Sequence, residues 1–174
     1  MKIEAREVGG FSLVEVAVAV AIASFCLLIL LALVPVGIKH SKDADAQTTM
    51  SNLSTTVADD LTAATNSTVI PPGTVSSPRF QFSVPPAGGT ASASPQTIYV
   101  DASGATTGTV GSKATARSIY RVSVFFYPPS TSSLKTATLG RIWITFPAQA
   151  DPTAAVPAVN YTDMYETTIS LNRN

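Results

Sequence analysis

The sequence contains little cysteine, little histidine and little charge, and each shortage argues against a class of protein. The single cysteine, Cys26, has no partner in the chain, which excludes a disulfide framework and a cysteine-based zinc site. The single histidine, His40, lies between Lys39 and Lys42, where we interpret it as an interfacial polar residue rather than a catalytic base. Since no nucleophile–base pair is visible either, we expect no enzymatic activity and no cofactor.

The number and spacing of the charged residues argue against metal binding and nucleic-acid binding. Asp151 and Asp163 are candidate calcium ligands, but the Asp-x-Asp-x-Asp pattern of a compact calcium loop is missing. We therefore interpret them as scattered solvated acids and expect no metal site. Net charge is zero, and Arg117, Arg121 and Arg141 lie on or near predicted strands without the interleaved aromatics of a nucleic-acid platform. No nucleic-acid partner is expected.

A long apolar run dominates the first part of the chain. Residues 11–38 are almost uniformly apolar over about 28 residues, which as a helix span ~42 Å and exceed the ~20 residues needed to cross a bilayer. Residues 39–66 predict an amphipathic continuation of the same helix. Its apolar stripe recurs at helical spacing and consists of Ala46, Met50, Leu53, Val57 and Leu61.

Residues 67–174 predict a β-rich domain. Alternating patterns, several of them closed by prolines, predict strands over residues 79–84, 97–100, 118–127, 141–146 and 165–171. Residues 87–94 and 102–114 are Gly/Ser/Thr/Ala-rich loops. We assign Tyr120, Phe126, Trp143 and Phe146 to the sheet core. The expected fold is α+β, with a long N-terminal helix packed on a C-terminal antiparallel sheet, because that arrangement buries both apolar faces.

The junction between leader and apolar run carries the most informative residues. A polar leader, residues 1–10, ends in Gly9-Gly10, Phe11 opens the run, and Glu15 follows as a lone carboxylate. A charge inside hydrocarbon is expensive and tends to mark function. The only plausible processing signal precedes the apolar core, so cleavage there would leave the hydrophobic helix at the new N-terminus.

These residues, Gly10-Phe11-Ser12-Leu13-Val14-Glu15-Val16 with the run behind them, resemble the signal of type IV pilins and type II secretion pseudopilins. The resemblance implies that prepilin peptidase cleaves between Gly10 and Phe11 and methylates the new terminus at Phe11. It further implies that Glu15 pairs with the terminal amine of a neighbouring subunit during filament assembly.

The expected partners are prepilin peptidase, other pilin or pseudopilin subunits, the inner-membrane assembly platform and membrane lipid. The resemblance places the protein in the cytoplasmic membrane with its C-terminal domain outside the cytoplasm, and then in a pilus or pseudopilus.

Two departures from the family pattern favour a minor or specialised subunit. Ala32 stands where many members have a helix-breaking proline, with Pro35 three residues later, and the paired C-terminal cysteines of many pilins are absent. An alternative remains open: an uncleaved single-pass protein that anchors an extracytoplasmic binding module, in which Glu15 extends to the membrane interface.

Overall fold

The computed structural model describes residues 10, 12–65, 74–86, 88–129, 137–154, 159–160 and 162–172. One long helix precedes the strands along these parts of the chain. The elements are α1 (Leu13–Thr65), β1 (Val75–Ser76), β2 (Ser83–Val84), β3 (Gln96–Val100), β4 (Tyr120–Tyr127), β5 (Ala137–Phe146) and β6 (Asp163–Asn172).

Helix α1 is continuous over 53 residues and contributes to two compact units, Met1–Lys42 and Asp43–Asn174. In the first unit its apolar side chains are exposed, and an 18-residue window reaches a mean hydropathy of 3.0 with none of its residues buried. The helix is thus long and apolar enough to cross a membrane. Pro35 lies within it and removes one backbone donor without ending it.

In the second unit, α1 packs on the sheet through the predicted stripe. Met50, Leu53, Val57 and Leu61 are all buried, whereas Ala46 is only half-buried. Full burial of an aliphatic side chain of this size contributes about 1.5–3 kcal/mol. The predicted amphipathic helix is confirmed, and its last described residue is Thr65.

The main sheet has four antiparallel strands in the order β3-β4-β5-β6. Its helix-facing surface alternates along each strand, as the period of two requires. The residues on that surface include Ile98, Val100, Val122, Val124, Ile142, Ile144 and Leu171, all fully buried. The α+β fold predicted from the sequence is confirmed, and most predicted strands match β3, β4, β5 and β6 apart from their ends.

The strand predicted over residues 79–84 is wrong for most of its length. Residues 78–80 form a turn, Gln81 has a φ of 60°, and only Ser83 and Val84 are extended, pairing with β1. The cause is Asp60 on α1, whose carboxylate accepts the N–H groups of Arg79 at 2.8 Å and Phe80 at 3.0 Å. Those donors bind the helix instead of a neighbouring strand.

The assignment of Trp143 to the core is also wrong. Since Ile142 and Ile144 face the helix, Trp143 lies on the opposite, outer surface of the sheet. There its ring meets Phe125 edge-on at 4.9 Å, and the guanidinium of Arg141 stacks over it at 4.6 Å. Arg141 therefore has an aromatic neighbour on the outer surface of the sheet. Arg141 and Trp143 lie two residues apart on β5 and so share a face, whereas the contact between Trp143 and Phe125 on β4 comes from cross-strand pairing, which spacing along one strand does not reveal.

Candidate functional site

Ser12 and Glu15 form a reciprocal capping arrangement at the start of α1. The backbone N–H of Ser12 donates to Glu15 Oε2 at 3.0 Å, and the N–H of Glu15 donates to Ser12 Oγ at 3.3 Å. The Ser12 carbonyl accepts the first helical bond from Val16 at 3.2 Å. This is the capping box of a Ser-x-x-Glu sequence, which pairs two amide groups that a helix start otherwise leaves open.

The sequence interpretation missed the capping role of Glu15, because it considered the carboxylate as an intermolecular partner or as a residue that extends to the membrane interface. The signal was present, since Ser12 and Glu15 have capping-box spacing immediately before an apolar run. Capping and charge pairing are compatible, because a carboxylate has two oxygens and about four acceptor positions. Among the described residues, no donor reaches Glu15 Oε1.

The other predicted site residues are only partly described. Gly10 is exposed, and a Cβ built on it would meet nothing within 4 Å. Phe11, the predicted methylation site, lies outside the described residues, and so does one side of the predicted cleavage bond. The structure therefore brings Glu15 together with Ser12. Cleavage between Gly10 and Phe11 stays a prediction from the sequence.

The surface that follows Glu15 is apolar and open. Leu13 is 86% exposed and Val14 68% exposed, and large apolar side chains stay about half exposed or more as far as Ile38. A shallow groove beside the carboxylate is lined by Glu15, Val16, Ala19, Val20 and Ala23. Small residues four apart, such as Ala19 and Ala23, allow the backbone of a second helix to approach closely.

Asp151 is an ion-pair partner in this structure. Its Oδ2 lies 2.9 Å from the Arg121 guanidinium, and its Oδ1 accepts both the N–H and the hydroxyl of Thr153. Partial burial opposes the charged form, but the bonds from Thr153 and Arg121 together outweigh it and lower the pKa of Asp151. Across the described residues, no group of three His, Cys, Asp or Glu side chains is placed to hold a metal ion.

Arg141 is likewise paired. It binds Glu166 on β6 through its Nε, which raises the pKa of Arg141 and lowers the pKa of Glu166. The indole N–H of Trp143 is buried without a well-formed hydrogen bond, although its proximity to Glu166 contributes to that lowered pKa. The positive charge of Arg141, beside the Trp143 ring, is thus paired with the negative charge of Glu166 on the neighbouring strand.

Comparison with known protein-family models, with curated proteins and with solved structures found no match. The family resemblance therefore rests on the residues at the start of the chain and on the helix-then-sheet layout.

Proposed function

We propose that this protein is a structural subunit of a type IV pilus or type II secretion filament, of the minor pilin or pseudopilin-like kind. Prepilin peptidase processes it at Gly10–Phe11, and the mature chain assembles through the N-terminal part of α1. The observation that carries the proposal is Glu15, an exposed carboxylate in the first turn of α1, five residues after Gly10, in a segment that is otherwise almost uniformly apolar and exposed as far as Ile38.

The exposed apolar surface of α1, from Leu13 to Ile38, must be buried against lipid or protein in the cell. A single-pass precursor buries it in the cytoplasmic membrane, with the β-rich domain outside the cytoplasm. In a filament, the same surface packs against the helices of other subunits, and the groove at Ala19 and Ala23 suits such contacts. One surface therefore serves both states.

Cleavage supplies the missing partner for Glu15. The new terminal amine on Phe11 carries a positive charge, and burial of either charge alone in a helix bundle has a desolvation penalty of several kcal/mol. Pairing the amine of one subunit with Glu15 of its neighbour offsets that penalty. The capping bond from Ser12 holds the carboxylate through Oε2 at the helix start, so that Oε1 is left to accept the incoming amine.

A set of variants separates the pairing role from the capping role. In Glu15→Gln the side-chain carbonyl still caps the helix but the charge is lost, whereas Ser12→Ala weakens the cap by about 1 kcal/mol and retains the charge. We expect Glu15→Gln and Glu15→Ala to be processed almost normally yet to be lost from filaments. Ser12→Ala should still assemble.

The measurement is the fraction of mature subunit that sediments with sheared filaments, with cleavage followed by gel mobility. Normal incorporation of Glu15→Gln would contradict charge pairing. Loss of Ser12→Ala together with retention of Glu15→Gln would instead assign the role of Glu15 to helix capping.

A further inference from the structure

The two edge strands of the four-stranded sheet, β3 and β6, differ in whether other parts of the chain bond their outer backbone groups. The outer edge of β3 is covered by the chain itself, since the carbonyls of Tyr99 and Thr97 accept the N–H groups of Thr107 and Gly111, each at 2.8 Å. The Gln96 side-chain amide extends this cover by bonding the N–H and the carbonyl of Ser83 at 2.8 and 2.7 Å. For β6, no described residue provides a comparable cover on the outer edge.

Strand β6 lacks three of the features that usually prevent pairing at an edge, although Asp163 is a charged residue on its helix-facing side. Its 10 residues pair with β5 in unbroken antiparallel register, from Asp163 opposite Phe146 to Asn172 opposite Ala137. The strand contains no proline, no lysine and no bulge, which are common devices against edge pairing. Its single glutamate, Glu166, is held by Arg141 on the outer surface. Such an edge is a template for another extended backbone.

A cleft of about 410 Å³ opens beside the first residues of this edge. It lies on the helix side of the sheet, where Asp163 and Tyr165 share one face of β6. The lining residues that matter here are Gln47, Met50, Ser51 and Asn52 from α1, with Asp163 and Tyr165 from β6. Asp163 supplies the only charged side chain among the lining residues, so the cleft presents one carboxylate among uncharged side chains.

We propose that the outer edge of β6 binds an extended segment of another polypeptide as a fifth strand, with a lysine or arginine of that segment in the cleft. Added strands gain affinity from backbone hydrogen bonds and specificity from pockets that take alternate side chains. The aliphatic stem of the basic residue packs near Tyr165, and its cationic group pairs with Asp163. The proposal applies to a filament subunit and to an anchored protein alike, so it does not rest on the function proposed above.

The test uses the full chain in detergent micelles and two labelled synthetic peptides. Each peptide alternates threonine and valine over nine residues, with a central lysine in one and a glutamine in the other. Fluorescence anisotropy should show that the lysine peptide binds about tenfold more tightly, as expected for a charged hydrogen bond. Hydrogen exchange should slow at alternate residues of β6 when either peptide is bound.

Two variants locate the basic residue. Asp163→Asn should abolish the preference for lysine and retain binding of the glutamine peptide, which shows that the edge is intact. Asp59→Asn removes an exposed acid on α1 outside the cleft and should leave the preference unchanged. Equal affinity of the two peptides for the unaltered chain would overturn the cleft assignment.

The edge assignment has its own outcomes. Absence of alternate-residue protection in β6 on peptide binding would overturn it. Protection of the outward-facing amides of β6, those that do not bond β5, before any peptide is added would also overturn the assignment of the edge to a different protein. If that protection rises with protein concentration, a second copy occupies the edge; if it does not, the edge is covered by the chain itself.

Discussion

At the scale of single residues, Asp151 shows how one carboxylate fastens a loop to the outer surface of the sheet. It joins Arg121 on β4 to Thr153 in the segment that follows β5. Ala148 and Ala150 in the same segment are fully buried, and the Ala150 carbonyl accepts a hydrogen bond from the Thr145 hydroxyl at 3.3 Å. The loop therefore depends on a carboxylate that must stay ionised to pair with Arg121.

The lowered pKa of Asp151 predicts an acid-sensitive contribution to stability. A carboxyl group whose pKa is lower in the folded than in the unfolded chain stabilises the fold above its ordinary pKa of about 3.9. That contribution disappears as the pH falls through the folded-state pKa. We expect the melting temperature of Asp151→Asn to fall less steeply than that of the unaltered chain between about pH 5 and pH 3. Parallel curves for the two proteins over that interval would contradict the role given to this carboxylate.

Glu15 illustrates what a sequence can and cannot show about one side chain. Its position five residues after Gly10 made it a candidate from the pattern alone. The acceptor that it presents to Ser12 also follows from a known spacing, so the capping box was predictable. The side-chain rotamer of Glu15 determines which of its two oxygens caps the helix. That rotamer cannot be predicted from the residue pattern.

At the scale of elements, Asp60 connects α1 to the segment that precedes β2. The carboxylate is 7% exposed and accepts two backbone N–H groups, from Arg79 and Phe80. The contact holds the turn against the helix while Phe80 and Phe82 enter the core. A helix residue thus determines where a short strand begins.

Replacing Asp60 by Asn should destabilise the second unit. The amide has one acceptor oxygen, so one buried N–H loses its partner, at about 1–3 kcal/mol in the free energy of unfolding. The neighbouring exposed variant Asp59→Asn should stay within about 0.5 kcal/mol of the unaltered chain. Urea unfolding in micelles, followed by the fluorescence of the single tryptophan, Trp143, measures both. Equal midpoints for the two variants would refute the anchoring role of Asp60.

The elements differ in how far local sequence predicts them. The stripe from Met50 to Leu61 follows the helical period, and β3 and β4 follow an alternating pattern, so all three were predictable. The turn at residues 78–80 was not, because its hydrogen bond from Arg79 reaches an acceptor 19 residues away in sequence. The start of β5 at Ala137 was missed as well. Gly140 interrupts the pattern there, yet a Cβ at that position would lie only 3.1 Å from Ile169 of the paired strand, so glycine suits the close contact.

At the scale of the whole molecule, the chain combines a β-rich unit with a helix whose apolar surface is exposed as far as Ile38. In the proposed function, Glu15 forms a charge pair with the amine of Phe11 in a neighbouring subunit, and cleavage after Gly10 creates that amine. We therefore propose that this chain is a precursor whose mature form begins at Phe11.

Intact-mass measurement with N-terminal sequencing, on protein purified from the membranes of its own cells, tests that claim most directly. The account predicts a chain that has lost residues 1–10 and begins with a methylated Phe11. A purified chain that retains Met1 and the leader would contradict it and favour an uncleaved, membrane-anchored protein.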